Sequence, residues 1–392
     1  MTEVIDSRRR KLLVGGAASV VAVAGAAAIS PRALAAGEKK SFPSYVAWKE
    51  QDSLILHSAQ TLETKREAIG ASVITPTDRL FVRNNLPAPD ESILADRDAW
   101  QVTIQGTKQS RTLSLAELKT LGVETVATVL QCSGNGRAFF DHKASGTPWQ
   151  VGAAGCVLWT GVPVRKVVEA LGGVEKGAKF MTSTGGEVLP QGLDPKSLVV
   201  ERSVPLAAME NALLAWEMNG EPLPLAHGGP LRLIVPGYYG VNNIKYVKQV
   251  AFTERETDAK IQTSGYRMRP VGEKGAPDQL SMWEMNVKSW VTSPVTSAAA
   301  GRVQIQGVAF GGAHAVKSVE VSIDGGRSWR KARFVGPDLG QFAWRPFVLE
   351  AELKPGTYTI ASRATNTKGS TQPEEFPENE RGYGHNGWRR HA

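Results

Sequence analysis

The stretch Thr128-Val129-Leu130-Gln131-Cys132-Ser133-Gly134-Asn135-Gly136-Arg137 concentrates more chemistry than any other part of this 392-residue chain. An apolar, β-branched run stops at a cysteine. A glycine-rich turn follows, and an arginine lies five residues past the sulfur. This pattern predicts a strand that delivers a thiolate to a tight loop, where backbone and ligand can come close. A thiolate is a strong, soft metal ligand, and its pKa falls beside a cation or a metal. The competing reading is a buried cysteine at the end of a strand, or half of a disulfide. The second cysteine, Cys156, sits in Ala153-Ala154-Gly155-Cys156-Val157-Leu158. In an exported protein a Cys132–Cys156 bridge is the structural alternative. The apolar context suits a buried free thiol, which leaves Cys132 as the ligand. The six histidines are scattered without zinc spacing, and no Cys-x-x-Cys-His motif provides for covalent haem.

Taken singly, Arg232 and Lys245 read as surface charge. Their surroundings change that reading. Cys132 to Arg137 fits Cys-x-Gly-Asn-x-Arg and resembles the molybdenum-cofactor loop of the sulfite oxidase family, whose cysteine sulfur binds molybdenum. Leu80-Phe81-Val82-Arg83-Asn84-Asn85-Leu86-Pro87 resembles that family's Phe-Val-Arg-Asn-His-Leu-Pro segment. The resemblance places Arg83 near an oxyanion pocket and Asn84 and Asn85 beside the cofactor; Asn85 stands where a histidine is common. Gly146-Thr147-Pro148-Trp149 resembles Gly-x-Pro-Trp, which implies Trp149 in the substrate pocket. Leu213-Leu214-Ala215-Trp216-Glu217-Met218-Asn219-Gly220 resembles Leu-Leu-Ala-Tyr-Glu-Met-Asn-Gly, so Trp216 is expected at the active-site tyrosine position, without its hydroxyl. Tyr238 or Tyr239 could stand in for that phenol.

His227-Gly228-Gly229-Pro230-Leu231-Arg232, with Lys245 thirteen residues on, resembles the family's pterin- and phosphate-holding segment. Arginine and lysine donors beside a glycine turn are what a phosphate requires. The C-terminal Asn379-Glu380-Arg381-Gly382 resembles Asn-x-Arg-Gly, whose arginine reaches the substrate pocket from the second domain; composition alone reads this tail as charged and disordered. The implied set is therefore Arg83, Arg137, Trp149, Trp216 and Arg381 for catalysis. Asn84, Asn85, Cys132, Gly134, Asn135, His227, Arg232 and Lys245 would hold the molybdopterin cofactor, with Cys132 on the metal.

The resemblance implies oxidation of sulfite to sulfate, with Arg83, Arg137 and Arg381 neutralising the oxyanion. Without a haem motif, electrons would pass to an external c-type cytochrome. Related enzymes pair through the C-terminal sandwich, so a homodimer or higher homo-oligomer is expected. Two rivals stay in the same superfamily: a sulfoxide reductase and a sulfane-sulfur dehydrogenase subunit. A third is a metal-free secreted binding protein that recognises its partner through a β-sandwich.

Elements must position these residues. Residues 1–35 read as a twin-arginine export signal. Arg8, Arg9 and Arg10 precede an uncharged run from Leu12 to Ile29, and Ala33-Leu34-Ala35 suits cleavage. This predicts a periplasmic protein with no membrane span once processed. Net charge is +8; five cationic and two acidic residues lie in the leader, which leaves +5. That charge is diffuse, which argues against nucleic-acid binding. Residues 36–265 read as a mixed α+β catalytic domain, irregular to about residue 75, with no βαβ repeat. Strands are predicted at Leu80–Asn85, Trp100–Ile104 and Val126–Leu130. Helices are predicted from the Ser114/Glu117 capping box and over Val164–Leu171, ended by Gly172-Gly173. Residues 256–284 are polar, and 266–284 are taken as a linker wrapped on the surface. From residue 285 short strands recur at 303–308, 319–323 and 358–364, with a hairpin signal at Asp324-Gly325-Gly326. This predicts an all-β, immunoglobulin-like sandwich.

Overall fold

A computed structural model describes residues 42–391 and the backbone of Leu12–Gly15, which pairs with Ser297–Ala299 and Gly356–Tyr358. The export-signal expectation otherwise falls outside the described residues. Among those residues no helix is long and apolar enough to cross a membrane.

The first domain is built on two five-stranded sheets. One runs Glu201–Pro205, Phe180–Thr184, Gln249–Thr253, Gln101–Gln105, Arg111–Ser114. Its apolar face closes over Val102, Ile104, Leu118, Val167 and Leu233. The predicted caps are in place. Ser114 accepts from the Glu117 N–H while the Glu117 carboxylate accepts from the Ser114 N–H, opening helix Leu115–Thr120. Helix Val164–Ala170 ends where Gly172 and Gly173 take φ of +80° and +94°. The second sheet runs Glu221–Pro222, Leu213–Met218, Ala154–Pro163, Glu124–Gln131, with Arg232–Ile234 also on Leu213–Met218. Register pairs Val129 with Cys156 and Gln131 with Ala154. Strand Glu124–Gln131 therefore runs its full length against a partner before releasing Cys132.

The second domain is the predicted sandwich. Lys288–Ser293, Gly301–Phe310, Arg345–Leu353 and Arg333–Phe334 form one sheet; Arg330–Lys331, Val316–Ser322 and Ala361–Asn366 form the other. Val303, Ile305, Val319, Val321, Phe347 and Ala364 fill the space between. The strand expected over 358–364 is instead two elements, because Thr359 bridges to Asp324 and splits it. Asp324 makes a compact turn by accepting from the N–H groups of Arg327 and Ser328.

A separate core joins the domains. Ala127, Val129, Cys156 and Tyr239 pack against Trp290, Val308, Phe310 and Trp344. Each large apolar side chain buried there, such as Val129, Val308 or Phe310, contributes roughly 1.5–3 kcal/mol, so the two domains are held as one body. The segment between them is not a loose surface strap. Ala259, Gln262, Arg267, Ser281 and Met282 are buried. Its polar residues are paired inward: Arg267 with Glu256, and the buried Arg202 with Ile261 O and Ser281 Oγ. Polar composition marked it as exposed; satisfied polar groups let it go inside.

Candidate active site

Strand Glu124–Gln131 ends at a turn in which the Asn135 N–H donates to Cys132 O at 3.0 Å and the Arg137 N–H to Gly134 O at 2.9 Å. Gly136 takes φ +101°, and a Cβ there would lie 2.9 Å from His385; only glycine allows that approach. Cys132 and Cys156 are both free. Cys156 is 0 % exposed, and burial pushes its thiol up to about 12, so it is inert. Cys132 is half-buried and opens on a cleft of about 470 Å³. The buried free thiol at Cys156 is the one expected.

The cleft walls are Phe81, Arg83, Asn85, Leu130, Cys132, Ser133, His227, Arg232, Gly240, Val241, Lys245 and Tyr266. Cations dominate. Arg83 donates to Asn85 Oδ1 at 2.9 Å and to the Asn84 carbonyl, which leaves three of its five N–H donors. Arg232 donates to His227 O at 2.8 Å and Asn243 O at 3.2 Å, and burial lowers its pKa to about 10. Lys245 Nζ donates to Asn84 Oδ1 and Ala226 O, both at 2.5 Å. Burial, then Arg232, hold its pKa well below the usual lysine value. His227 is 1 % exposed and is kept neutral by burial and by Lys49, Lys245 and Arg232. Gly228, at φ +103°, passes so close to Lys245 that a Cβ would sit 2.8 Å from it.

These groups fit an anionic pterin cofactor. His227 Nε2 and Ser133 Oγ are buried without a hydrogen-bond partner, and both residues lie in this wall. Clustered basic side chains and unfilled polar atoms in one cleft call for a polyanion. Among the described residues no group of three or more His, Cys, Asp and Glu side chains converges on a metal position. The chain can thus offer one sulfur, and the other ligands would come with the cofactor.

An outer cavity of about 1360 Å³ shares Arg83, Asn85 and Tyr266 with the cleft and adds Lys260, Arg269, Lys274, Glu380, Arg381 and Tyr383. Arg381 Nε is buried there without a partner. The tail that carries it is not disordered. Arg137 Nε donates to Arg381 O at 2.9 Å, the Gly384 N–H donates to Ser133 O at 2.9 Å, and Tyr383 and His385 are buried.

The structure separates the expected residues into three groups. Arg83, Asn85, Cys132, His227, Arg232 and Lys245 share the cleft, and Arg381 lines its outer continuation. Asn84, Gly134, Asn135 and Arg137 stand behind the wall. Asn135 ties the loop together, donating to Gln131 Oε1 and accepting from the Ala153 N–H. Arg137 spends donors on Arg381 O and Thr147 O and lies over Tyr383, so it holds the tail rather than facing the cleft. A Cβ on Gly134 would collide with that guanidinium. Trp149 and Trp216 lie elsewhere. Trp149 is fully buried against Phe81 and His57. Trp216 sits at a register shift between Ala215 and Glu217, which turns it into the core of the first domain with Leu225, Leu231 and Tyr246. Tyr239 is buried in the core between the domains.

The cleft's phenol is Tyr266, which the sequence reading missed. The turn Ile261–Gly265 delivers it, its hydroxyl donates to Asn85 Oδ1 at 3.3 Å, and its ring stacks on Tyr383. The available signal was that Tyr266 is the only aromatic between Phe252 and Trp283.

A family model described as an oxidoreductase molybdopterin binding domain matches residues 86–261, and one described as a Mo-co oxidoreductase dimerisation domain matches 279–392. The chain is 32 % identical to chicken (Gallus gallus) sulfite oxidase over 337 residues, covering 80 % of this chain and 71 % of that one. It is 32 % identical to the mitochondrial sulfite oxidase of Rattus norvegicus over 84 % of its own length, spanning 63 % of the rat protein. Among solved structures, the sulfane dehydrogenase SoxCD of Paracoccus pantotrophus shares the fold, with a TM-score of 0.73 at 23 % identity and 92 % of each chain covered. Cleft, tail and comparisons converge: the chain belongs to the sulfite oxidase family of molybdenum-cofactor oxidoreductases.

Proposed function

We propose that this protein oxidises sulfite to sulfate and hands the electrons, one at a time, to an external c-type cytochrome, working as an exported, periplasmic homodimer. One observation carries the reading: Cys132 and Arg83 share a cleft wall that also holds Tyr266 and opens directly toward Arg381. The bound cofactor supplies oxygen-atom transfer and stores two electrons. Cys132 supplies its protein ligand. His227, Arg232 and Lys245 bind the pterin and its phosphate. Arg83 keeps three donors for a dianion, and Arg381 brings a second cation from the outer cavity. Their fixed charge holds the dianion and stabilises the sulfate-like product as it forms. Tyr266, held by Asn85, offers a hydroxyl beside Arg83.

A second reading keeps the centre and changes the substrate. The outer cavity extends from Arg83 to Lys274 and Tyr383, a wider space than a four-atom anion needs. Sulfane sulfur carried on a larger molecule would use that space. Steady-state assays of the molybdenum-loaded protein, with sulfite and an organic persulfide side by side and a one-electron acceptor, separate the two. Saturable sulfite turnover that is lost in Cys132→Ser with pterin retained is the expected result. Turnover of the persulfide alone would overturn the sulfite reading.

A further inference from the structure

Lys288 opens strand Lys288–Ser293 of the sandwich, yet it is 1 % exposed and points into the first domain. Its ammonium donates to Asn135 O at 2.9 Å, inside the turn that begins at Cys132. Trp290 lies near it, with the ammonium 5.9 Å from the ring centroid. Burial alone pushes Lys288 down to about 7, with no carboxylate among the described residues opposing the shift. After burial, Lys288 is the next largest influence keeping His385 and His391 neutral. His385 packs on Gly136, and its Nδ1 is 3.1 Å from His391 Nε2. Below about pH 7 the floor beneath the Cys132 loop is therefore one cation over two neutral imidazoles.

Burying an ammonium with one carbonyl and no counter-ion costs several kcal/mol. A core position that needed only packing would carry an apolar side chain. The charge that would compensate it is that of the anionic cofactor held at the Cys132 loop. A fixed positive charge behind such a ligand stabilises the more negative, reduced form of the centre, and second-layer hydrogen bonds orient the ligand.

We infer that Lys288 is a positioning residue for the cofactor: reaching across from the second domain, it fixes the Cys132 loop through the Asn135 carbonyl and raises the reduction potential of the metal bound to that loop. The inference rests on the molybdenum cofactor and not on which sulfur compound is oxidised.

The test uses the molybdenum-loaded full chain. Metal content, melting temperature and the midpoint potential of the molybdenum EPR signal are measured without substrate for wild type, Lys288→Gln and Lys288→Met. Lys288→Gln keeps a donor for Asn135 O and removes the charge. Its midpoint falls while its melting temperature holds or rises, because a costly buried charge is gone. Lys288→Met also loses the hydrogen bond; its midpoint falls and kcat drops about tenfold. A wild-type midpoint in loaded Lys288→Gln overturns the inference. Since no substrate enters the titration, that failure leaves the sulfite reading intact.

Discussion

Tyr266 and Tyr383 stack with ring centroids 5.2 Å apart and planes 9° from parallel. One ring belongs to the segment between the domains, the other to the C-terminal tail. Tyr266 faces the cleft and bonds Asn85. Tyr383 is buried beside Arg137, and burial raises its hydroxyl to about 12. The stack thus joins the cleft to the tail that carries Arg381.

Tyr266→Phe keeps the stack and deletes only the hydroxyl. Sulfite kcat/KM should fall about tenfold, the scale of one lost hydrogen bond to a polar partner. The melting temperature should stay at the wild-type value. Tyr266→Ala removes both, so kcat/KM falls further and KM rises as the tail loosens. Steady-state kinetics of the two variants check this order.

Arg381→Met tests the tail directly. Its guanidinium lines the outer cavity, with Nε buried and unpartnered. Loss of one charge-assisted contact to a dianion costs roughly 1.5–3 kcal/mol. Sulfite KM should rise about ten- to a hundredfold, with a smaller change in kcat. The same KM as wild type would place the anion away from Arg381.

What the sequence made legible was local. The Cys132 loop is a strand, a sulfur and a glycine turn in contiguous residues, so its pattern was enough. Cys156 was readable because its neighbours are small and apolar. Tyr266 was hidden because its segment is polar, and only the buried partners of Arg202 and Arg267 show why such a segment folds inward. Trp216 misled because a register shift in its strand reverses the face that simple alternation assigns. The tail looked loose by composition. Its order comes from backbone bonds to Ser133 and Arg137, which lie about 250 positions earlier in the chain and which no local pattern announces.

Glu63 belongs to the hidden class. It is 1 % exposed, and its carboxylate accepts from the N–H groups of Gln150 and Gly152 and lies 2.8 Å from His57 Nε2. These bonds fix the chain just after Trp149. Glu63→Ala leaves the buried Gly152 N–H without its acceptor, at roughly 1–3 kcal/mol. Chemical denaturation should show a loss of about 1–3 kcal/mol, with Glu63→Gln recovering part of it.

Stability should also fall on mild acidification, and the sign follows from which groups bind protons. His227, His385 and His391 are buried and held well below the ordinary histidine value, so below about pH 6.5 the unfolded chain binds protons that the native one does not. Each contributes a slope of up to about 1.4 kcal/mol per pH unit. Glu187 acts in reverse. Burial raises its carboxyl to about 7, so between there and the ordinary carboxylate range the native state holds the extra proton and gains stability as pH falls. Lys49 and Lys288, both lowered to about 7, are mostly protonated in either state below about pH 6 and drop out. Lys245, held well below the usual lysine value, acts in the same direction as the histidines, so these four groups against one carboxyl leave a net loss that steepens as the unfolded histidines charge, between pH 6.5 and 5.5. Denaturation midpoints across that window should therefore decrease. Opposite responses in two variants identify the groups: Glu187→Gln removes the opposing proton and makes the loss steeper, whereas His385→Gln removes one histidine and makes it shallower. A stability flat from pH 7 to 5.5 would mean the histidines are protonated within the fold, which their packing against Lys49, Lys245 and Lys288 does not allow.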